Sequence, residues 1–317
     1  MKMAKGKIVI LGINGHVGHA AAEAFAAAGW QVTGFGRSNR QPVAGVEFVA
    51  GDADDVAALK AAIADADVVF NGLNLPYDKW FDGRAEAQLA RVIEAMGASG
   101  KTMLFPGNVY NYAASETLLT PDTPERPERP RGEIRLRMEA MLKAAAARGA
   151  FQTIVVRAGD FFGPGSHNDY LDLLILREAA KGRVALAAHE VPHSWAYLPD
   201  LGRAFVAVAE RREELAGYEA FHFAGHFVTS GEVFEAIQAV SPKMLTRVPT
   251  PWTMLSLLGL AMPLMREIVK MRYLWDNPMR LADPRLEAIL GPDFGTPFDE
   301  AMGRTVARFF TESRQAA

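Results

Sequence analysis

Gly12, Gly15 and Gly18 recur at every third position of the run GINGHVG, directly after the β-branched stretch Lys7–Leu11. An alanine-rich segment, Val17–Ala28, follows and is stopped by Gly29. A chain that leaves a strand and enters a helix through such a run must turn tightly and let its backbone come close to whatever lies above it. The helix start then offers free N–H groups and the positive end of the helix dipole. A pyrophosphate needs these features, so the run predicts a dinucleotide seated on Gly12, Asn14, Gly15, His16, Val17 and Gly18. His16 is expected to pack against that ligand rather than to react.

The residues closing the second strand choose between the two nicotinamide dinucleotides. An NAD site commonly places a carboxylate there, bonded to the ribose hydroxyls. This chain has GFGRSNR instead. Arg37 can clamp a 2′-phosphate with its planar fork, helped by Ser38 and Arg40, so the expected cofactor is NADP(H).

The elements that must position these residues alternate along the first half. Strand signals fall at Lys7–Leu11, Gln31–Phe35, Val46–Ala50, Asp67–Phe70, Thr102–Phe105 and Phe151–Arg157. Helix signals fall between them at Asp55–Ala64, Arg84–Met96 and Ile134–Arg148. Such alternation with short connections predicts the α/β class, a doubly wound parallel Rossmann sheet. Thr120–Arg131, rich in proline and charge, reads as an exposed loop. Glu219–Phe223 reads as a further strand, and Pro199–Arg211 and Ser230–Val240 read as helices. The expected organisation is a dinucleotide-binding domain of residues 5–165 plus 190–226. A smaller, mostly helical C-terminal substrate subdomain of residues 166–189 plus 227–317 would close over the carboxyl edge of the sheet.

On these motifs the chain resembles the short-chain dehydrogenase/reductase superfamily, in its extended or atypical, epimerase/dehydratase-like branch. The glycine spacing matches that branch. GDADD sets Asp52 where the family has an aspartate near the adenine, and Asn71, Gly72 and Leu73 fall at its cofactor-facing turn. VVRAGDFFGPG, with Arg157, Ala158 and Gly163-Pro164-Gly165, is similar to the family's sixth strand and the motif after it. SWAYLPDLGRAFVAV places Asp200 and Ala204 in register with its V-x-D-x-A. The likeness runs along nearly the whole chain and is weakest after Ser241.

The resemblance implies a catalytic serine after the fifth strand and a YxxxK on the next helix, and here the chain departs from it. In the stretch Pro106-Gly107-Asn108-Val109-Tyr110-Asn111 the serine position is Pro106. In the stretch from Arg131 to Glu139 the tyrosine position is Arg131 and the lysine position Arg135. Proline has no hydroxyl, and an arginine stays protonated at ordinary pH. Arg135 is expected to hold the nicotinamide ribose and so to serve catalysis. Arg131 either binds an anionic group or oxyanion or sits on a solvated helix start. The proton is then sought elsewhere. Tyr110, just past the fifth strand, is the first choice, and His193 the second because imidazole titrates near neutrality. Tyr77, Trp80, Asn108 and Asp160 follow strand ends and are expected to meet substrate. Trp195 and Tyr197 share a strand face with His193 and are expected to meet substrate as well, with core packing the competing reading for all these aromatics.

Composition bounds the function. The 317 residues carry a net charge of -3 and no cysteine. There is no basic surplus for nucleic acid, no thiolate chemistry and no disulfide framework. Histidines and carboxylates show no metal-ligand spacing, so no metal is expected. The N-terminal run reads as a strand rather than a signal peptide. Trp252–Met265, interrupted by Gly259 and Pro263, is too short to span a bilayer. It reads as a buried helix or pocket wall in preference to a peripheral membrane contact. The expected setting is cytoplasmic, with a small-molecule substrate, no integral membrane segment and the option of a homodimer. The first functional reading is an atypical NADP(H)-dependent oxidoreductase reducing a small apolar carbonyl, enone or imine. A non-catalytic NADP(H) sensor stands second, and a sugar-nucleotide epimerase or dehydratase, the default implied by the resemblance, third.

Overall fold

Alternate residues of the first strand settle the layering. Ile8 and Ile10 are buried in one apolar cluster with Phe25, Phe70 and Phe205, while Val9 and Leu11 are buried in another with Leu89, Val92 and Leu142. A strand buried on both faces belongs inside a parallel sheet covered by helices on each side. The computed structural model describes residues 5–165 and 169–311. The ends of the expected substrate part, 166–168 and 312–317, lie outside the described residues.

β1 (Lys7–Leu11), β2 (Gln31–Gly36), β3 (Val46–Ala50), β4 (Val68–Asn71) and β5 (Thr102–Gly107) alternate with α1 (His16–Ala27), α2 (Val56–Ile63) and α3 (Arg84–Met96), except that β2 runs directly to β3. After β6 (Leu118–Leu119) come α4 (Pro130–Ala147), β7 (Gln152–Arg157), β8 (Asp160–Phe162), β9 (Arg183–Leu186) and β10 (His193–Tyr197). α5 (Leu198–Glu210), β11 (Tyr218–His222), β12 (His226–Val228), α6 (Ser230–Val240) and β13 (Thr246–Pro249) follow. The chain ends through α7 (Trp252–Leu258), α8 (Pro263–Lys270), α9 (Tyr273–Asp276), β14 (Arg280–Leu281), α10 (Pro284–Leu290) and α11 (Phe298–Thr311).

Seven strands form the central sheet in the order β11-β7-β5-β4-β1-β2-β3, every pair parallel. The order reverses beside β1, where the glycine run leaves the sheet, and ligands of doubly wound folds bind at that crevice. A second sheet, β12-β10-β8, sets Trp195 opposite Asp160 and so brings the start of β10 beside the start of β8.

Two elements differ from the sequence expectation. α4 starts at Pro130, four residues before Ile134. Proline suits a first helical turn because its missing N–H has no partner there and its φ is already set. The early start carries Arg131 into the first turn and buries it to 1 % exposure. The apolar run Trp252–Met265 is corrected more strongly, for it is not simply buried. It breaks into α7 and α8 around Gly259–Met262, and Leu257, Leu260 and Met262 face solvent.

A buried ion pair ties α4 to the sheet. Arg157 Nη1 donates to Glu139 Oε1 at 2.6 Å and Nη2 donates to Oε2 at 2.5 Å, with Glu139 wholly buried. Removing one partner of such a pair costs about 3–5 kcal/mol, because the other charge is left uncompensated.

Candidate active site

The glycine run is shaped by close backbone approach. Gly12 has φ +80°, and a Cβ there would lie 2.8 Å from the Gly72 carbonyl oxygen. A Cβ on Gly18 would lie 2.5 Å from the Gly12 carbonyl oxygen. Only glycine permits this packing of turn, helix and strand end. α1 begins at His16 with no side-chain cap and no acidic residue in its first turn, and His16, Val17 and Gly18 border an open space.

That space is a cavity of about 780 Å³. Its floor is Asn14, Gly15, His16, Val17 and Gly18, together with Asn71, Gly72 and Leu73. One wall is formed by the end of β5 and the following turn, with Asn108 and Tyr110. Tyr77, Trp80 and Arg135 stand beside it, and Asp160 and His193 stand opposite. Leu174, Leu264, Ile268 and Trp275 close the roof. Fifteen sequence-expected residues therefore meet in one cavity: eight around the glycine run and the β4 turn, and seven around the reacting space.

The other expected residues lie elsewhere. Arg37 and Ser38 are exposed just beyond β2, where Ser38 and Arg40 are tied to the floor through Asn14. The Asn14 amide donates to the Ser38 carbonyl at 2.6 Å, and its oxygen accepts from the Arg40 N–H at 3.0 Å. Asp52 is exposed and its Oδ1 accepts from the Asp54 N–H. Arg131 lies behind the cavity wall, its guanidinium stacked 3.5 Å from the Tyr77 ring centre. It donates to the Tyr77 carbonyl and pairs with buried Glu267. Trp195 and Tyr197 pack in an apolar cluster with Phe162, Val233 and Met302.

The ionisable groups of the cavity are tuned by burial. Burial raises the Tyr110 phenol above its ordinary value, and the neighbouring Asp160 charge adds to this, while Tyr77, Arg131 and Arg135 oppose it. Tyr77 is raised well above, by burial first and then by Tyr110. Both phenols therefore stay protonated at neutral pH and are hydrogen-bond donors rather than ready bases. Arg135 is pushed down to about 10 by burial, and at neutral pH it remains a cation. Its carbon centre lies 4.7 Å from the Trp80 ring centre and 5.4 Å from that of Phe105, and its Nε has no hydrogen-bond partner. A guanidinium held by ring faces, with donors unspent at a cavity wall, is available to a ligand oxygen.

Opposite it, His193 Nε2 lies 3.0 Å from Asp160 Oδ2, and His193 Nδ1 lies 3.1 Å from the Leu274 carbonyl oxygen. The Trp275 indole N–H donates to the same Asp160 Oδ2 at 2.6 Å. Trp275 also stacks on Tyr170 at 4.1 Å. Tyr170 and Trp275 carry no sequence signal that sets them at this site. They are 10 and 115 residues from Asp160, and no local pattern marks them as neighbours of a strand end. Among the described residues no cluster of three or more His, Cys, Asp or Glu is placed to hold a metal ion. No helix among them is long and apolar enough to cross a membrane.

A family model described as NAD dependent epimerase/dehydratase family matches residues 8–224. None of the curated proteins matches the chain in sequence. Among solved structures, UDP-glucose 4-epimerase from Brucella ovis in complex with NAD is similar at a TM-score of 0.76 and 16 % identity, covering 96 % of this chain and 98 % of its own. UDP-glucuronic acid 4-epimerase from Bacillus cereus, in complex with UDP-glucuronic acid and NAD, gives 0.74 at 14 % identity, covering 98 % of this chain and 100 % of its own. The Bordetella bronchiseptica enzyme WbmH in complex with NAD+ gives 0.71 at 18 % identity, covering 98 % and 99 %.

These likenesses overturn the first functional expectation. The reductase of a small apolar carbonyl, enone or imine gives way to the epimerase/dehydratase type, the reading ranked last from the sequence. The expectation leaned on an apolar, Met- and Trp-rich C-terminal half lining the substrate pocket. Part of that half, including Leu257, Leu260 and Met262, instead faces solvent on α7, α8 and the turn between them.

Proposed function

The chain belongs to the NAD dependent epimerase/dehydratase family, and on that footing we propose that it is a nicotinamide-dinucleotide enzyme catalysing a redox-neutral change at a carbinol carbon of a hydroxylated substrate. The observation that carries this reading is the single cavity in which the glycine run, Arg135, Tyr110 and the Asp160–His193 pair converge. Its floor fits a dinucleotide. Gly12, Gly15 and Gly18 make a cradle that side chains would fill, and the uncapped start of α1 supplies donors for a pyrophosphate. Asn71, Gly72, Leu73 and Arg135 would flank the nicotinamide end. When bound, the dinucleotide supplies reversible hydride transfer.

The chain's own residues handle the proton. Tyr110, kept protonated by burial, donates a hydrogen bond to the substrate oxygen. Both hydrogen bonds that the structure gives Asp160 fall on Oδ2, so among the described residues Oδ1 is left to accept the carbinol proton. His193 and the Trp275 N–H hold that carboxylate in place. The aromatic and aliphatic roof gives the site apolar surroundings, which strengthen each of these contacts. This set stands in for the serine and the tyrosine that the family pattern has and this chain lacks.

Two finer readings follow. The dinucleotide is NADP(H), supported by Arg37 and Arg40 beyond β2, neither of which pairs with a carboxylate among the described residues, and by the lack of an acidic residue there. The substrate belongs to the hydroxylated, sugar-like class of the similar solved proteins, yet its diphosphate, if any, is not met by the basic residues of the C-terminal half. Lys270 pairs with Glu267, Arg272 pairs with Asp276, Arg280 lies 6.0 Å from the Phe227 ring centre, and neither these nor Arg266 lines the cavity. Calorimetric titration of NAD+ and NADP+ into wild type and Gly15→Val tests the floor. Binding by wild type that the variant loses supports the reading, and no binding of either dinucleotide to wild type contradicts it.

A further inference from the structure

α7 and α8 form a hairpin whose turn projects bare hydrocarbon. Leu257 is 65 % exposed and Leu260 82 %, and Met254, Leu258 and Met262 are exposed beside them. Isolated exposed leucines are ordinary, but a contiguous group of this kind marks a surface that meets something.

Charge says what it meets. Between Pro251 and Trp275 the basic side chains are Arg266, Lys270 and Arg272, and the only acidic one is Glu267. Glu267 is buried and bound by Arg131 and Lys270. Arg272 pairs with Asp276, while Arg266 is exposed with no carboxylate partner among the described residues. The hairpin of a chain whose net charge is -3 thus presents hydrocarbon at its turn and, one helical turn behind it, the exposed Arg266, with Lys270 sharing the buried Glu267 with Arg131. A second copy docked by the same patch would bring two cationic faces together, with no exposed carboxylate of the patch to offset them. An anionic lipid surface satisfies both features at once: leucine and methionine enter the acyl boundary, and arginine and lysine meet the headgroups.

We propose that the α7–α8 hairpin seats the protein on anionic lipid surfaces without crossing them. The hairpin is rooted in the cavity roof. Leu264 is both exposed and part of the cavity wall, and the Trp252 ring stacks 5.6 Å from that of Trp275, which holds Asp160. The inference stands apart from the proposed reaction and survives or fails without it.

Co-sedimentation with two vesicle types tests it, one of phosphatidylcholine alone and one of phosphatidylcholine mixed with phosphatidylglycerol. The expected result is binding to the mixed vesicles that weakens with added salt. The double variant Leu257→Glu/Leu260→Glu should lose at least about tenfold in vesicle affinity. Both side chains already face solvent, so its melting temperature should match that of wild type, and a match keeps the comparison interpretable. Arg266→Glu should reduce the preference for the anionic vesicles. Absence of binding to either vesicle type overturns the proposal, as does binding that the double variant retains. Sedimentation velocity covers the remaining case: a dimer that the double variant dissolves, without vesicle binding, assigns the patch to a second copy and overturns the lipid reading.

Discussion

His193 and Asp160 are joined side chain to side chain at 3.0 Å, across a strand pairing in which Trp195, two residues past His193, stands opposite Asp160. The imidazole faces an acceptor on each side, the carboxylate at Nε2 and the Leu274 carbonyl at Nδ1. Asp160 in turn is held by two donors on one oxygen, the geometry of a carboxylate aimed rather than merely solvated.

The proton-handling set can be separated from cofactor binding. Tyr110→Phe removes one oxygen from a packed ring and should lower turnover at least about tenfold, a floor set below the roughly 10²–10⁴-fold typical of general acid–base catalysis. Asp160→Asn should do the same by removing the proton acceptor. Both should leave dinucleotide affinity nearly intact, since neither side chain belongs to the cavity floor. Arg135→Ala should weaken dinucleotide binding itself. Turnover that is unchanged in both Tyr110→Phe and Asp160→Asn would remove them from the mechanism.

Arg37 gives a second separation. Its loss should weaken NADP+ binding by about 1.5–3 kcal/mol, the range for a hydrogen bond to a charged group, and leave NAD+ binding nearly unchanged. Isothermal titration of both dinucleotides against wild type and Arg37→Ala reads this directly. Equal affinity of the wild type for the two dinucleotides would show that Arg37 reads nothing.

The sequence made the floor of the site legible and most of the roof illegible. The glycine run, the arginine past β2 and the turn after β4 are local patterns, each read from a strand end and the residues that follow. The seven-strand sheet is legible for the same reason, since each strand is a short apolar run with its own turn signal. Arg131 shows the limit. A helix start was one open reading of it, but its burial behind Tyr77 depends on Glu267, 136 residues away. Trp275 likewise reaches Asp160 only through the tertiary fold. The α7–α8 run misled because periodicity cannot tell a buried apolar helix from one that is apolar toward solvent.

His222 predicts an acid-sensitive fold. It is 1 % exposed, 2.9 Å from the Tyr112 hydroxyl at Nε2 and 3.0 Å from the Leu119 carbonyl at Nδ1. A neutral ring, donating at Nδ1 and accepting at Nε2, satisfies both. Burial pushes its pKa down to about 4, against roughly 6.5 in an unfolded chain. The unfolded state therefore binds the proton first as pH falls. The stabilisation is whole above roughly pH 6.5 and is lost as pH falls toward 4. Urea unfolding should give a stability about 2 kcal/mol lower at mildly acidic pH, near 5, than above neutrality from this group alone. His222→Gln should flatten the slope in that window, and an unchanged slope in the variant would assign the acid sensitivity elsewhere.

The central claim, a redox-neutral reaction at a carbinol carbon in the cavity above the glycine run, is tested most directly by following a deuterium label. A panel of sugar nucleotides and free hydroxylated sugars, deuterated at the carbinol carbon, is incubated with the protein and a catalytic amount of oxidised dinucleotide and followed by NMR. The account predicts a rearranged product that keeps its deuterium, with no lasting rise in nicotinamide absorbance. Stoichiometric accumulation of reduced dinucleotide, or washout of the label into solvent, would contradict it.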